Sequence, residues 1–76
     1  MNIAEALKQA KEKNMCSRNK RLDIVLFIAN DEIITILSCG IGTGLKMSVH
    51  TMLAEDWEVT NLTEKEKDRL KQKFGY

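Results

Sequence analysis

Hydrophobic positions change period several times along this chain, and each change marks an element. Ile3, Ala6, Leu7 and Ala10 recur at i, i+3, i+4 and i+7, the stripe of an amphipathic helix. Asn2 is suited to cap its free N–H groups, with Glu5 reaching back, and Asn14 tolerates the left-handed conformation that ends a helix. The stripe is narrow and alanine-rich, so the helix can lie close against a sheet. A short segment at residues 15–18 leads to a charged turn at Asn19-Lys20-Arg21. Residues 23–29 then carry the nearly continuous apolar run Ile24-Val25-Leu26-Phe27-Ile28. Asn30-Asp31-Glu32 supplies turn chemistry, and residues 33–38 form a second β-branched run, completing an antiparallel hairpin.

Further along, Cys39-Gly40-Ile41-Gly42-Thr43-Gly44 reads as a connection. It leads to a third strand over residues 45–49, a helical turn over 52–56 and a last strand over 57–60. Thr63-Glu64-Lys65-Glu66 fits the capping box of a final helix, with Gly75 at its C-cap. Only Leu70 and Phe74 give that helix an apolar edge, so it is expected to dock weakly or on a neighbouring subunit. The expected fold class is α+β. An N-terminal helix packs on a small antiparallel β-sheet, a short C-terminal helix follows, and residues 1–76 form one domain, 1–60 as helix and sheet and 61–76 as the last helix.

The central strands lack polar alternation. Ile24, Leu26 and Ile28 share one face, and Val25, Phe27 and Ala29 the other. A sheet with one wet face would alternate, so both faces should be covered. One narrow helix covers one face, which leaves a second copy of the chain as the expected cover of the other. Size points the same way. A monomer of 76 residues buries only roughly 60–65% of its unfolded surface, a marginal core.

Composition narrows the classes. Hydrophobic residues make up 43% and charged residues 30%, too apolar for a disordered tail. No apolar run is long enough for a membrane span, and no basic-then-apolar leader opens the chain. Two lone cysteines do not make a disulfide scaffold, so a cytoplasmic location is expected. The formal net charge of +1 hides an asymmetry. Residues 8–21 hold six basic side chains against one acidic, whereas residues 22–60 hold one basic against six acidic. That acidic centre argues against a DNA or RNA polymer as partner; the basic segment is either a solvated face or a local anion site.

Catalytic signals are sparse. Cys16, Cys39 and His50 lack zinc-ligand spacing, and both cysteines fit the role of small hydrophobes, so no metal or cofactor is expected. The stretch from Gly40 to Gly44 is neither a Walker loop nor a dinucleotide fingerprint; it is either a loose connection or an anion-binding nest. Arg18, Lys20 and Arg21 follow the first helix, and Lys46, Ser48, His50 and Thr51 lie on or just after the expected third strand. This mixture of cations and hydroxyls suits phosphate recognition, and equally suits ordinary strand ends. Trp57 is either core or a stacking surface for a base. With no carboxylate pair, triad or metal cluster, an enzyme is not expected.

The segment Met52-Leu53-Ala54-Glu55-Asp56-Trp57-Glu58-Val59, together with the opening Met1-Asn2-Ile3-Ala4-Glu5-Ala6-Leu7, resembles the Thoeris anti-defence two-like family of small phage proteins. Met15-Cys16-Ser17-Arg18 is similar to that family's short strand ending in arginine. The resemblance covers roughly residues 1–60. It implies a helix followed by an antiparallel sheet, assembled as a homotetramer. It also implies nucleotide immune signals held between subunits without cleavage, such as glycocyclic ADP-ribose or, in similar sponges against the CBASS defence, cyclic dinucleotides. By position, the family's arginine falls on Arg18 and the polar stretch before its MLAEDW segment on Ser48-Val49-His50-Thr51.

The sequence departs from the family pattern. Asn19-Lys20-Arg21 stands where a tryptophan is frequent, Thr51 where an aspartate is frequent, and the short connection from Cys39 to Gly44 replaces a long proline-rich loop. The lost acid and added cations favour a more anionic ligand, such as 3′,3′-cyclic GMP–AMP, over glycocyclic ADP-ribose. On this reading Arg18, Lys20 and Lys46 neutralise phosphates, Ser48, His50 and Thr51 hydrogen-bond base or ribose, and Thr43 and Trp57 complete the ligand-binding set. The rival is a small protein-interaction module that inhibits a host protein.

Overall fold

The computed structural model describes residues 1–43 and 47–75. Helix α1 (Ile3–Lys13) is followed by strands β1 (Cys16–Asn19), β2 (Ile24–Ala29), β3 (Glu32–Leu37) and β4 (Gly40–Thr43). Helix α2 (Val49–Leu53), strand β5 (Glu58–Thr60) and helix α3 (Glu64–Phe74) complete the order. The five strands form one antiparallel sheet in the order β4-β3-β2-β1-β5. The α+β expectation holds: a helix, an antiparallel sheet and a short C-terminal helix.

The expected caps are present. The Asn2 side chain accepts from the Glu5 N–H at 2.8 Å, and Asn14 closes α1 at φ 54. Thr63 and Glu66 form the reciprocal capping box, and Gly75 ends α3 at φ 76. The hairpin β2–β3 turns on Asn30 and Asp31, both left-handed at φ 52 and 61, the signature of a tight primed turn. Glycine occupies that second position without the Cβ clash. Asp31→Gly is therefore expected to raise stability by about 0.5 kcal/mol in urea unfolding. The exposed Lys11–Asp31 contact at 3.4 Å offsets little of that gain. A loss of stability in this variant would show that the contact dominates.

Three expectations fail between β3 and β5. The glycine-rich connection is itself a strand, because Ser38-Cys39 makes a two-residue turn that pairs Leu37 with Gly40, Ile36 with Ile41 and Thr35 with Gly42. The described part of the strand expected over residues 45–49, residues 47–49, is not a strand. Gly44, Leu45 and Lys46 lie outside the described residues, Met47 and Ser48 are irregular, and Val49 opens α2. The helical turn comes earlier than residues 52–56 because Ser48 caps it: its side chain accepts from the Thr51 N–H at 3.3 Å. Ala54 returns to extended backbone and ends it.

Each sheet face carries its own core. Beneath α1, Ala6, Leu26, Ala54 and Trp57 are buried, with Ile3, Leu7, Ile24, Ile33, Met47 and Val59 packed around them. On the opposite face, Cys16, Val25, Ile34 and Ile36 are buried with Leu70 of α3, and Leu62 and Phe74 pack alongside. So the unalternated strand β2 is covered on both sides within one chain. The cover assigned to a second copy is supplied by α3.

That helix docks firmly despite its thin apolar edge because polar side chains hold it. Arg69 donates to the Leu37 carbonyl at 2.8 Å and Lys73 to the Ile41 carbonyl at 2.7 Å. Arg18 pairs with Glu66. A hydrophobic count misses these three tethers.

Candidate functional site

Three polar groupings surround the sheet. The first is at the β1–β2 turn. Asn19 is fully buried; its carboxamide donates to Asp56 at 2.8 Å and accepts from the Leu22 N–H at 3.0 Å. Arg21 donates to the same carboxylate at 2.8 and 3.2 Å. The Arg21 hydrogen bonds, then that of Asn19, hold the Asp56 carboxyl far below the usual carboxylate range. Lys20 lies 3.8 Å from Glu58, both side chains exposed. The polar turn is thus an internally neutralised staple that fixes the segment before Trp57.

The second grouping joins β1 to α3. The Arg18 guanidinium grips Glu66 through both nitrogens, at 2.6 and 2.9 Å, while its Nε donates to the Thr60 hydroxyl at 3.2 Å. Burial alone would raise the Glu66 carboxyl. The hydrogen bonds from Arg18 and from the Thr63 N–H outweigh it, and the group is held below its ordinary value. Glu66 hydrogen bonding in turn raises Arg18.

The third lies at the open edge of β4. On the α1 side of the sheet, α1 covers β1, β2 and β5. Beyond it runs a shallow groove of about 310 Å³ lined by Thr35, Leu37, Cys39, Gly40, Ile41, Gly42 and Thr43. On the other side, Gly40, Ile41, Arg69, Gln72 and Lys73 line a second, more open depression. Apart from these groupings, helix α2 exposes Val49, Met52 and Leu53, at 68%, 48% and 72%. Large apolar side chains left exposed on one short helix are a candidate contact surface.

The residues expected to bind ligand are not assembled into one site within this chain. Arg18 is engaged by Glu66, and Lys20 lies beside Glu58. Ser48 is the α2 cap, bonded to Thr51, which is itself buried. His50 is exposed on α2 and Thr43 is exposed at the far end of β4; Lys46 lies outside the described residues. Trp57 is 2% exposed in the core under α1, so it packs and does not stack on a ligand. The strand β4 is also no anion nest. A nest needs successive N–H groups turned to one side, and an extended strand alternates them.

Sequence reasoning missed Glu66, Arg69 and Lys73 as partners of the sheet. Glu66 was legible only as half of the capping box, a role it also fills through the Thr63 N–H at 2.9 Å. The i, i+4 spacing of Arg69 and Lys73 placed them together on one helix face, but not against β4. Among the described residues, no group of three or more His, Cys, Asp or Glu is placed to hold a metal ion. No helix among them is long and apolar enough to cross a membrane. Comparison of the chain with models of protein families, with characterised proteins and with solved structures finds no significant match.

Proposed function

We propose that this protein is a non-catalytic phage sponge that binds and sequesters a cyclic nucleotide immune signal in the cytoplasm of the infected bacterium. The ligand is a cyclic dinucleotide such as 3′,3′-cyclic GMP–AMP, and the protein acts against CBASS signalling as a homo-oligomer, a tetramer by the family resemblance. The observation that carries this reading is that both resemblance motifs fold as one unit. Met1 and Trp57 exchange backbone hydrogen bonds, with the Trp57 N–H on the Met1 carbonyl at 3.1 Å and the Met1 ammonium on the Trp57 carbonyl at 3.2 Å. Ile3, Ala6 and Leu7 of the first motif pack with Ala54, Trp57 and Val59 of the second. The motifs are therefore framework, and they support a shared architecture with the ligand held elsewhere on the surface.

The charge argument for an anionic ligand moves with the geometry. Arg18, Lys20 and Arg21 all lie beside carboxylates, whereas Arg69 and Lys73 contact only main-chain carbonyls and form no ion pair among the described residues. Glycocyclic ADP-ribose, also anionic, is the second ligand of this reading. The exposed Val49, Met52 and Leu53 favour a distinct alternative, a protein-interaction module that inhibits a host protein, unless copies of the chain meet there.

Thermal unfolding with a panel of cyclic nucleotides tests the proposal. A ligand at a hundredfold excess over its Kd adds about 2.7 kcal/mol to the folded state, a shift of several degrees. Heating the complex should then release the nucleotide intact. Linearised product would make the protein a phosphodiesterase, and no shift across the panel would end the sponge reading. Light scattering on the same samples gives the subunit count; a monomer with no ligand favours the interaction module.

A further inference from the structure

Gly40 and Gly42 stand in strand β4, where glycine weakens pairing, and nothing among the described residues requires them. Neither adopts a positive φ, and a Cβ built on either meets no atom of the described residues within 4 Å. A glycine in a strand with neither a conformational nor a packing reason is often found where a ligand or another backbone approaches closely. By the register with β3, both glycines share the sheet face of Thr35 and Leu37, so together they form the flat floor of the 310 Å³ groove. Leu37 supplies an apolar wall.

The edge of this strand is cationic. Leu37 and Gly40 face each other across a two-residue turn, so the N–H and C=O of Ile41 and Thr43 point away from β3 to the open edge. The Ile41 carbonyl there accepts from Lys73, and the Leu37 carbonyl accepts from Arg69, one helical turn away on α3. The outward Ile41 N–H and the Lys73 ammonium lie at the strand edge, and the Arg69 guanidinium, at the β3–β4 turn, lines the same depression, so three kinds of phosphate-binding donor lie close together.

We propose that a nucleotide straddles β4, its base lying flat over Gly40 and Gly42 against Leu37 and its phosphate held at the strand edge by Lys73 and Arg69. This inference rests on the sponge reading and assigns it a site different from the one expected around Arg18. A planar base can lie flat on a floor without side chains, and the lone strand thickness lets one nucleotide reach both the groove and the cations.

The test is titration of 3′,3′-cyclic GMP–AMP into the full chain and into Gly42→Val, Gly42→Ala and Lys73→Gln. The apo melting temperature of both Gly42 variants should equal or exceed wild type, because their side chains enter open space and valine favours strand. Gly42→Val should weaken binding at least tenfold, Gly42→Ala less, and Lys73→Gln about tenfold by loss of a charged hydrogen bond. Wild-type affinity in Gly42→Val or in Lys73→Gln overturns the straddled site and leaves the sponge reading standing. A change of subunit count in Gly42→Val with affinity retained also overturns it, and assigns the glycine floor to contact between copies. Failure of the wild-type chain to bind any cyclic nucleotide overturns both readings together.

Discussion

Replacing Trp57 with alanine is expected to cost about 3–5 kcal/mol of unfolding free energy. Trp57 is among the largest fully buried side chains, at 2% exposure, and belongs with Ala6, Leu26 and Ala54 to the cluster against which Ile3, Leu7 and Val59 pack. Domains of this size hold roughly 4–11 kcal/mol in total, so the variant should be substantially unfolded at 37 °C. The loss is one of volume and not of a polar contact. The indole Nε1 is buried with no hydrogen-bond partner among the described residues, so Trp57→Phe sacrifices no hydrogen bond and should cost roughly 1–2 kcal/mol. Urea unfolding followed by circular dichroism measures both. An alanine variant within 1 kcal/mol of wild type would mean that Trp57 is not the keystone under α1.

The second large effect is expected at Glu66. Its bond to Arg18 is the strongest polar link between α3 and the sheet, with side-chain exposures of only 19% for Arg18 and 13% for Glu66. Glu66→Ala leaves the guanidinium half-buried without its carboxylate and also removes half of the α3 capping box. A loss of about 2–4 kcal/mol follows. Converting both partners, as in Arg18→Met with Glu66→Leu, should restore part of that loss, because an apolar pair carries no stranded charge. If the double variant is as unstable as the single one, the capping role dominates.

Acid sensitivity follows from the same pair. Glu66 is held below its ordinary value in the folded protein. Its contribution is therefore complete at neutral pH and is lost as the pH falls through the carboxylate range toward the folded-state value. Arg18 stays charged throughout. Asp56, held lower still by Arg21 and Asn19, acts in the same direction at more acid pH. Glu66→Gln should flatten the upper part of the acid limb and leave the lower part in place. An unchanged stability profile between pH 3 and 7, the window of ordinary carboxylate titration, would show that the ion pair contributes nothing.

Most local structure was legible because it is set by neighbours in sequence. The Asn2, Asn14, Thr63 and Gly75 caps and the Asn30-Asp31 turn each depend on residues at most four apart. The unalternated β2 run was also legible as a strand covered on both faces. What covered the second face was not. Leu70 and Phe74 look insufficient by apolar count, and the guanidinium and ammonium groups that dock α3 are indistinguishable in sequence from a solvated helix face. Gly40 and Gly42 misled for a related reason. Glycine signals a loop when only neighbours are considered, whereas β3 provides a pairing partner that overrides that tendency.

The candidate site shows the same division. Charge grouping along the chain correctly isolated a basic segment around Arg18, Lys20 and Arg21. It did not reveal that Glu66, Glu58 and Asp56, from distant parts of the chain, would lie against those cations. Among the described residues, Arg69 and Lys73, which were not expected to meet phosphate, are cations that lie against the sheet without an ion pair.

The sequence by itself determined the helices α1 and α3, their caps, the β2–β3 hairpin and the α+β class, because helix periodicity and turn conformation are short-range. Only the tertiary structure decided that β5 pairs with β1 across the sheet from β4, that α3 closes the second face, and that Arg18 and Trp57 belong to the framework. Those outcomes depend on contacts between residues tens of positions apart. Which distant carboxylate meets which cation, and which face a crossing segment covers, leaves no periodic trace in the chain.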